Sequence, residues 1–212
     1  MALKKKRAAK WRVWNKGLEV GQKDAFTPAQ VKRIRQVLAD RGVPGLRDLA
    51  LFSVAIDTML HGPELLNLTV KDVQLRNGTI RSLVEVARTR RPPVRCALSK
   101  ATAKALGKWI AVSDKKRTDY IFPGRGAGRP RPMTVRQMHR LLKFWVAEAR
   151  LDPKKYGKES LRRTKALHIL NGTGDMERVR VLLGHAKLDS TSKFLRIAKK
   201  SDPIAICRAF DF

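Results

Sequence analysis

The segment LRDLALFSVAIDTML, residues 46–60, constrains the fold more than any other stretch of the chain. Its apolar residues have helical spacing but occupy most of the helix circumference, so such a helix must be covered by other elements on nearly all sides. We therefore expect a buried helix here, inside a mostly helical domain.

Helix signals recur on both sides of this segment. In FTPAQVKRIRQVLADRG, Thr27 is suited to the N-cap, Pro28 to the first helical position and Gly42 to the stop. GPELLNLTVKDV begins a further short helix. Thr134 and Asp175 are plausible caps of later helices. Helical spacing predicts helices over residues 99–112, 134–150, 160–170, 176–183 and 190–197.

One stretch has a different pattern. LRNGTIRSLVEVARTRRPPVRCAL, residues 75–98, contains β-branched runs separated by Asn77-Gly78 and by Arg91-Pro92-Pro93. This pattern is typical of a small antiparallel sheet. The predicted fold class is therefore mainly α with a small antiparallel β-sheet (α+β).

The charge of the chain indicates the class of its partner. There are 47 Lys and Arg against 18 Asp and Glu, a formal net charge of +29. Such self-repulsion contributes nothing to stability, so a polyanionic partner explains it best. No apolar run reaches the roughly 18 residues of a spanning helix, so we expect no membrane association and favour nucleic acid.

The sequence divides into three predicted regions: a basic N-terminal arm at 1–24, a folded domain at 25–198 and a tail segment at 199–212. The arm interleaves its cations with Trp11 and Trp14, and it is either a solvated tail or an arm that follows DNA. It lacks the apolar core of a secretory signal. Cys96 and Cys207 lie far apart without paired Cys or His spacing, so no disulfide, metal or cofactor is predicted. The expected location is the cytoplasm, in association with a bacterial nucleoid or a plasmid.

Three stretches in this order resemble the catalytic domain of tyrosine recombinases, the phage integrase family: LRDLALFSVAIDTMLHGPELLNLTVKDV, YGKESLRRTKALHIL and RVLLGHAKLDSTSKFL. The resemblance spans residues 26–197 and implies the fold of that domain, with double-stranded DNA as partner. In family enzymes a tyrosine attacks a phosphodiester, two arginines and a histidine neutralise the developing charge, and a lysine or histidine handles protons.

At the first two catalytic positions of the family, this chain has residues of other types. His61 of HGPELL stands where the first arginine is expected, and it lacks the bidentate fork of a guanidinium. The lysine of the β-hairpin corresponds to Arg88, or to Arg90 if the hairpin register differs. Arginine keeps the charge but is a poor proton donor.

The remaining positions lie in the last two motifs. The H-x-x-R box reads Glu159-Ser160-Leu161-Arg162, so the second arginine is kept and the histidine has become an acid. His185 of LLGH is kept, and nine residues later the tyrosine is replaced by Phe194. Phenylalanine has the ring without the nucleophile. We therefore expect a catalytically inactive protein that keeps the fold for binding.

Two alternatives stay open. An active recombinase could use a relocated nucleophile, with Tyr156 before the box helix or Tyr120, more suited to anchoring the core, as the candidates. The chain could instead bind RNA. The expected process is plasmid, phage or chromosome maintenance or regulation.

We predict that cationic side chains contact DNA mainly at its phosphate backbone. The mobile loop FPGRGAGRPRP is also expected to face DNA. The apolar tail in AKKSDPIAICRAFDF suits either self-association on DNA or packing on its own domain. The residues predicted to contact DNA are Arg88, Arg90, Arg91, Arg136, Arg140, Lys143, Lys158, Arg162, Arg163, Lys165, His185, Lys4, Lys5, Lys6 and Arg7.

Overall fold

Helix α2 (Gly42–Thr58) lies at the centre of the fold, and every one of residues 50–58 is buried. It contacts α1 (Pro28–Ala39), α5 (Lys100–Val112) and α7 (Lys158–Thr173). This arrangement confirms the expectation drawn from its apolar circumference. The computed structural model describes residues 23–88, 91–124 and 131–196, with only the main chain of Arg88, Arg91 and Pro92.

The other elements follow the predicted order of helices, one small sheet, then helices again. They are α3 (Gly62–Leu66), α4 (Val70–Val73), β1 (Leu83–Arg88), β2 (Arg91–Ala97), α6 (Val135–Glu148), α8 (Met176–Leu183) and α9 (Leu188–Leu195). Within the described ranges, no helix is both long enough and apolar enough to cross a membrane.

The N-terminal caps are where the sequence predicts them. The Thr27 hydroxyl accepts a hydrogen bond from the Gln30 main-chain N–H, and the Gln30 side chain accepts one from Thr27 N–H, which closes a capping box. The predicted stop at Gly42 is wrong. Helix α1 ends at Ala39 with Asp40 as its C-cap, and Gly42, with a φ of 65°, begins α2 instead.

The sheet consists of β1 and β2 alone among the described residues. Val84 pairs with Cys96 and is buried with it, whereas Glu85 faces outward and forms an ion pair with Arg95 at 3.0 Å. The sequence Asn77-Gly78 does not lie in this sheet, contrary to prediction. It forms a turn between Gln74 and Ile80, which are joined by an isolated bridge.

Two groups of buried apolar side chains stabilise the domain. The larger surrounds α2 and includes Phe52 and Trp145, whose indole Nε1 donates to buried Asp48 at 2.9 Å. The smaller joins the end of α2 to α7, α8 and α9. Its buried members are Met59, Ala166, Val179, Leu183 and Leu195, and Phe194 packs against them. This smaller core positions the candidate site.

Candidate active site

Arg162 is buried in the first turns of α7, with 4% of its surface exposed. Its Nε donates to the main-chain carbonyl of Met59 at 2.7 Å, and one of its terminal nitrogens donates to Glu159 at 2.9 Å. The two bonds fix the guanidinium at the junction of α2 and α7. The carboxylate of Glu159 therefore lies against the guanidinium that the resemblance assigns to a phosphate.

Phe194 of α9 brings two arginines of α7 together beneath its ring. The guanidinium carbon lies 5.3 Å from the ring centroid for Arg162 and 5.0 Å for Arg163. Both distances are within the range of cation–π attraction. The ring of Phe194, the residue that the resemblance aligns with the family's nucleophile, thus lies next to the arginine that the resemblance assigns to a phosphate.

His185 completes this group from the end of α8. It follows Gly184, whose φ of 66° ends the helix in the left-handed region. The imidazole Nδ1 lies 3.0 Å from the hydroxyl of buried Thr191, and its ring meets that of Phe194 edge-on at 5.6 Å between centroids. The structure therefore brings together Arg162, His185 and Phe194, as the sequence predicts.

His61 lies at the N-cap of α3, two residues after the carbonyl that accepts from Arg162. Its main-chain N–H donates to Glu64 at 2.9 Å. Met59, which supplies the carbonyl, has a φ of 52°, a left-handed conformation that is unusual for a side chain of this size. The turn between α2 and His61 therefore includes a residue in a strained backbone conformation.

Arg163 has a structural role that sequence reasoning missed. It is 3% exposed, its Nε donates to the Phe194 carbonyl at 2.7 Å, and it also donates to the carbonyl of Lys23. Burial lowers the pKa of its guanidinium from the ordinary value, and the charge of Arg196 adds to this effect. Its partners, Phe194 and Lys23, are distant in the sequence, so the residues around Arg163 gave no indication of this role.

A cationic surface lies beside the site on α6. Arg136, His139 and Arg140 are exposed there, whereas Met138 and Leu142 on the other face are buried, as predicted. The pKa of His139 is lowered from its ordinary value, first by burial and then by the positive charges of Lys143, Lys158 and Lys23. Helix α6 also packs against α7, whose first residue is Lys158.

Lys165 has a different partner from Arg162, although both belong to α7 and a step of three residues leaves their side chains only about 60° apart around the helix. Its ammonium is 3.9 Å from buried Asp57 of α2. Contact of Lys165 with the same phosphates as Arg162 stays a prediction.

The two tyrosines considered as substitutes for Phe194 are held differently. Tyr156 is 6% exposed and its ring stacks on Phe26, with 4.2 Å between centroids and 8° between planes. Tyr120 is partly buried and pairs through its main chain with Thr69.

Several predicted contacts lie outside the described residues. They are the arm cations Lys4, Lys5, Lys6 and Arg7, the hairpin residue Arg90, the side chains of Arg88 and Arg91, the loop at 125–130 and the tail at 199–212.

The chain is similar to known tyrosine recombinases. The chain is 30% identical over 156 residues to tyrosine recombinase XerD of Haemophilus ducreyi and to XerC of Corynebacterium efficiens, in each case covering 73% of this chain. It spans about half the length of these relatives, 51% and 47% respectively.

Solved structures share the fold. The XerA recombinase matches 91% of this chain and 67% of its own with a TM-score of 0.69 at 21% identity. The catalytic domain of bacteriophage HP1 integrase matches 90% of this chain and 96% of its own with a TM-score of 0.54 at 14% identity. The model of the phage integrase family matches residues 24–201. The chain therefore belongs to the phage integrase family and has the tyrosine recombinase catalytic-domain fold.

Proposed function

We propose that this protein binds duplex DNA, mainly through the phosphate backbone, without cutting it. The observation that carries the proposal is the group of Glu159, Arg162 and Phe194. A carboxylate contacts the arginine that would hold a phosphate, and an apolar ring stands where a nucleophile is needed.

Three residues at family positions oppose strand cleavage. Phe194 has no hydroxyl to attack phosphorus, so no covalent intermediate can form there. Glu159 repels the scissile phosphate and offsets the charge of Arg162 at 2.9 Å. His61 has less positive charge at neutral pH than an arginine and cannot donate in a bidentate fork.

Tyr156 is a poor replacement for the missing nucleophile. Its stacking on Phe26 and its burial make its ring part of the main core. Bringing its hydroxyl to a phosphate would require breaking that stack and opening the core. This observation favours the inactive protein over a recombinase with a relocated nucleophile.

DNA binding is supported by charge and by relatives of known structure. The net charge of +29 and the exposed cations of α6 suit a polyanion. Among structures with the same fold, XerH recombinase is bound to difH substrate and Tn1549 integrase is in complex with circular intermediate DNA. Cationic side chains without a base-reading pattern favour backbone contacts, which give affinity with little sequence selectivity. A role in plasmid, phage or chromosome maintenance would suit such binding.

The deciding experiment combines a binding assay with a cleavage assay. Affinity is measured in gel shifts with random duplexes at increasing salt. If the protein contacts about six to ten phosphates, its affinity should fall by a factor of about 10³ to 10⁵ between 50 and 200 mM salt. Duplex RNA added as competitor should displace less protein than duplex DNA. A salt-independent affinity, or preference for RNA, would contradict the proposed binding.

Cleavage is tested on nicked duplexes that trap a covalent intermediate. We expect no protein–DNA adduct on denaturing gels with the unaltered protein. An adduct would show that the protein is an active recombinase, and loss of that adduct in Tyr156→Phe or Tyr120→Phe would identify the nucleophile.

A further inference from the structure

Six cationic side chains lie on two helices that carry none of the candidate site residues. They are Lys32, Arg33 and Arg35 of α1 and Lys100, Lys104 and Lys108 of α5. Five are exposed and Arg35 is partly buried. Neither helix contains an Asp or Glu between its first and last residue.

The lysines of α5 form a straight row. Residues four apart lie on one face of a helix, with a rise of about 6 Å between neighbours and about 12 Å along the row. Thr102 and Leu106 are buried on the opposite face. Since phosphates of one DNA strand advance by about 3.4 Å each, the row has the reach of three or four phosphates.

Helices α1 and α5 both line one groove. A groove of about 560 Å³ is lined by Lys32 and Arg35 from α1, Ala101 and Ala105 from α5, and Ile56 from α2. The Nε of Arg35 is buried and has no hydrogen-bond partner among the described residues. From α5 the groove is lined by Ala101 and Ala105, which directly follow Lys100 and Lys104 in the chain, and not by the lysines themselves. We term the six cations on these two helices the α1–α5 surface.

This positive charge is not balanced locally. Among residues 23–88, 91–124 and 131–196, no carboxylate forms an ion pair with any of the six cations. The groove is lined by one acid, Asp57, which already accepts a hydrogen bond from Ser99 N–H at 2.8 Å and faces Lys165. A surface needed only for solubility would mix both signs of charge.

The α1–α5 surface is distinct from the candidate site. Helix α7 lies between them, because Arg162 contacts Met59 and Phe194. Thr164 and His168, which line the groove, leave α7 about 160° and 120° around the helix from Arg162. The exposed cations of α6 belong to neither α1 nor α5. One duplex on the candidate site therefore leaves the α1–α5 surface open to a second polyanion.

We propose that the α1–α5 surface binds a second DNA duplex, so that one molecule bridges two duplexes. The inference rests on the proposed function, which supplies the first duplex, and goes beyond it by assigning a second binding surface. The bridge follows from cationic side chains on both sides of α7 and requires no contact between protein copies.

Bridging is measured by capture of a labelled duplex from solution by an immobilised duplex saturated with protein. The test variant is Lys100→Gln/Lys104→Gln/Lys108→Gln, whose side chains are exposed and whose replacements are good helix formers. The matched control is Arg136→Gln/Arg140→Gln/Lys158→Gln, which removes the same three charges from the α6 side. Gel shifts give the affinity of each variant for a single duplex.

We expect the α5 variant to keep its single-duplex affinity within about threefold while its capture of the second duplex falls by about tenfold or more, since each lost phosphate contact weakens binding. The α6 variant should lose affinity for the first duplex. Wild-type capture by the α5 variant, or no capture by wild-type protein that saturates the first duplex, would overturn the bridging proposal and leave the proposed function intact.

Equal loss of single-duplex affinity in both variants would also overturn it, because the two surfaces would then hold one duplex. Failure of the wild-type protein to bind any duplex would overturn both proposals.

Discussion

Arg163 joins α7 to α9 through the main-chain carbonyl of Phe194, which accepts a hydrogen bond from its Nε at 2.7 Å. The same guanidinium donates to the carbonyl of Lys23 and lies beneath the Phe194 ring. One side chain therefore ties together the start of the described chain, the box helix and the helix that carries Phe194. Its charge is held by carbonyl dipoles in the interior.

We predict that Arg163→Ala lowers the free energy of unfolding by about 2–4 kcal/mol, because hydrogen bonds to a charged donor contribute about 1.5–3 kcal/mol each and their carbonyls become unsatisfied. Arg163→Lys should also be destabilised, since an ammonium cannot reproduce the planar fork. Urea denaturation measures both. Arg140→Ala, at an exposed position, is the control and should change stability by less than about 0.5 kcal/mol. Equal stability of all three variants would exclude the proposed anchoring role.

Glu159→Gln should affect stability and DNA binding in opposite directions. The change removes the carboxylate 2.9 Å from Arg162, leaving a buried guanidinium with a weaker partner, so we expect a loss of about 1 kcal/mol in unfolding free energy. Removing a negative charge beside the proposed phosphate site should tighten DNA binding about fivefold, or roughly 1 kcal/mol, the order of a screened charge interaction.

Glu148→Gln is the matched control for that change. It removes the same charge from α6, where Glu148 lies 3.7 Å from Arg41 and is half-exposed. Gel shifts at fixed salt and urea denaturation give the two quantities. Equal tightening by both variants would mean that only net charge matters and that Glu159 has no special place at the site.

The helices were predictable because their signals are local. Thr27 and Thr134 are the N-caps that the sequence predicts, and each closes a capping box with the glutamine three residues later. The break between α1 and α2 was misplaced at Gly42, because a glycine after a helix also suits the first residue of the next one when the connection is this short.

The candidate site was only partly predictable. The proximity of Arg162, His185 and Phe194 was predictable because their motifs identify the family, and its members share one fold. The roles of Arg163 and Tyr156 depend on Phe194, Lys23 and Phe26, which come from distant parts of the sequence. Neither periodicity nor composition reports such long-range partners.

Met59 provides a prediction about backbone strain. It is buried in the smaller core with a φ of 52°. Both Met59→Ala and Met59→Gly lose that packing, at a cost of about 2–5 kcal/mol for the alanine. The glycine should be the more stable of the two by about 0.5–1 kcal/mol, since a side chain in the left-handed region costs about 1–2 kcal/mol and the greater freedom of unfolded glycine offsets part of this.

Ala103→Gly in the middle of α5 tests the opposite order. There glycine should be less stable than alanine by about 1 kcal/mol. Thermal or urea denaturation of the four proteins gives both differences. If alanine is the better residue at both positions, Met59 is not strained in the folded protein.

The last prediction concerns Phe194→Tyr. The substitution returns a hydroxyl to a ring that already lies 5.3 Å from the Arg162 guanidinium and 5.6 Å from the His185 ring. If the missing hydroxyl were the whole defect, the variant would form a covalent adduct with a nicked duplex. We predict no detectable adduct, because Glu159 still offsets the charge of Arg162 and His61 offers no guanidinium fork. Loss of one positioned donor costs on the order of 3 kcal/mol in the transition state, and here more than one is lost.

The triple variant His61→Arg, Glu159→His, Phe194→Tyr restores the family residue at each of these positions and should give a detectable adduct on denaturing gels. Its matched control is His61→Arg, Glu159→His with Phe194 kept, which should bind DNA more tightly than the unaltered protein and give no adduct. An adduct from Phe194→Tyr alone would show that His61 and Glu159 do not impair the site, and that the lack of a hydroxyl at Phe194 is sufficient to prevent DNA cleavage.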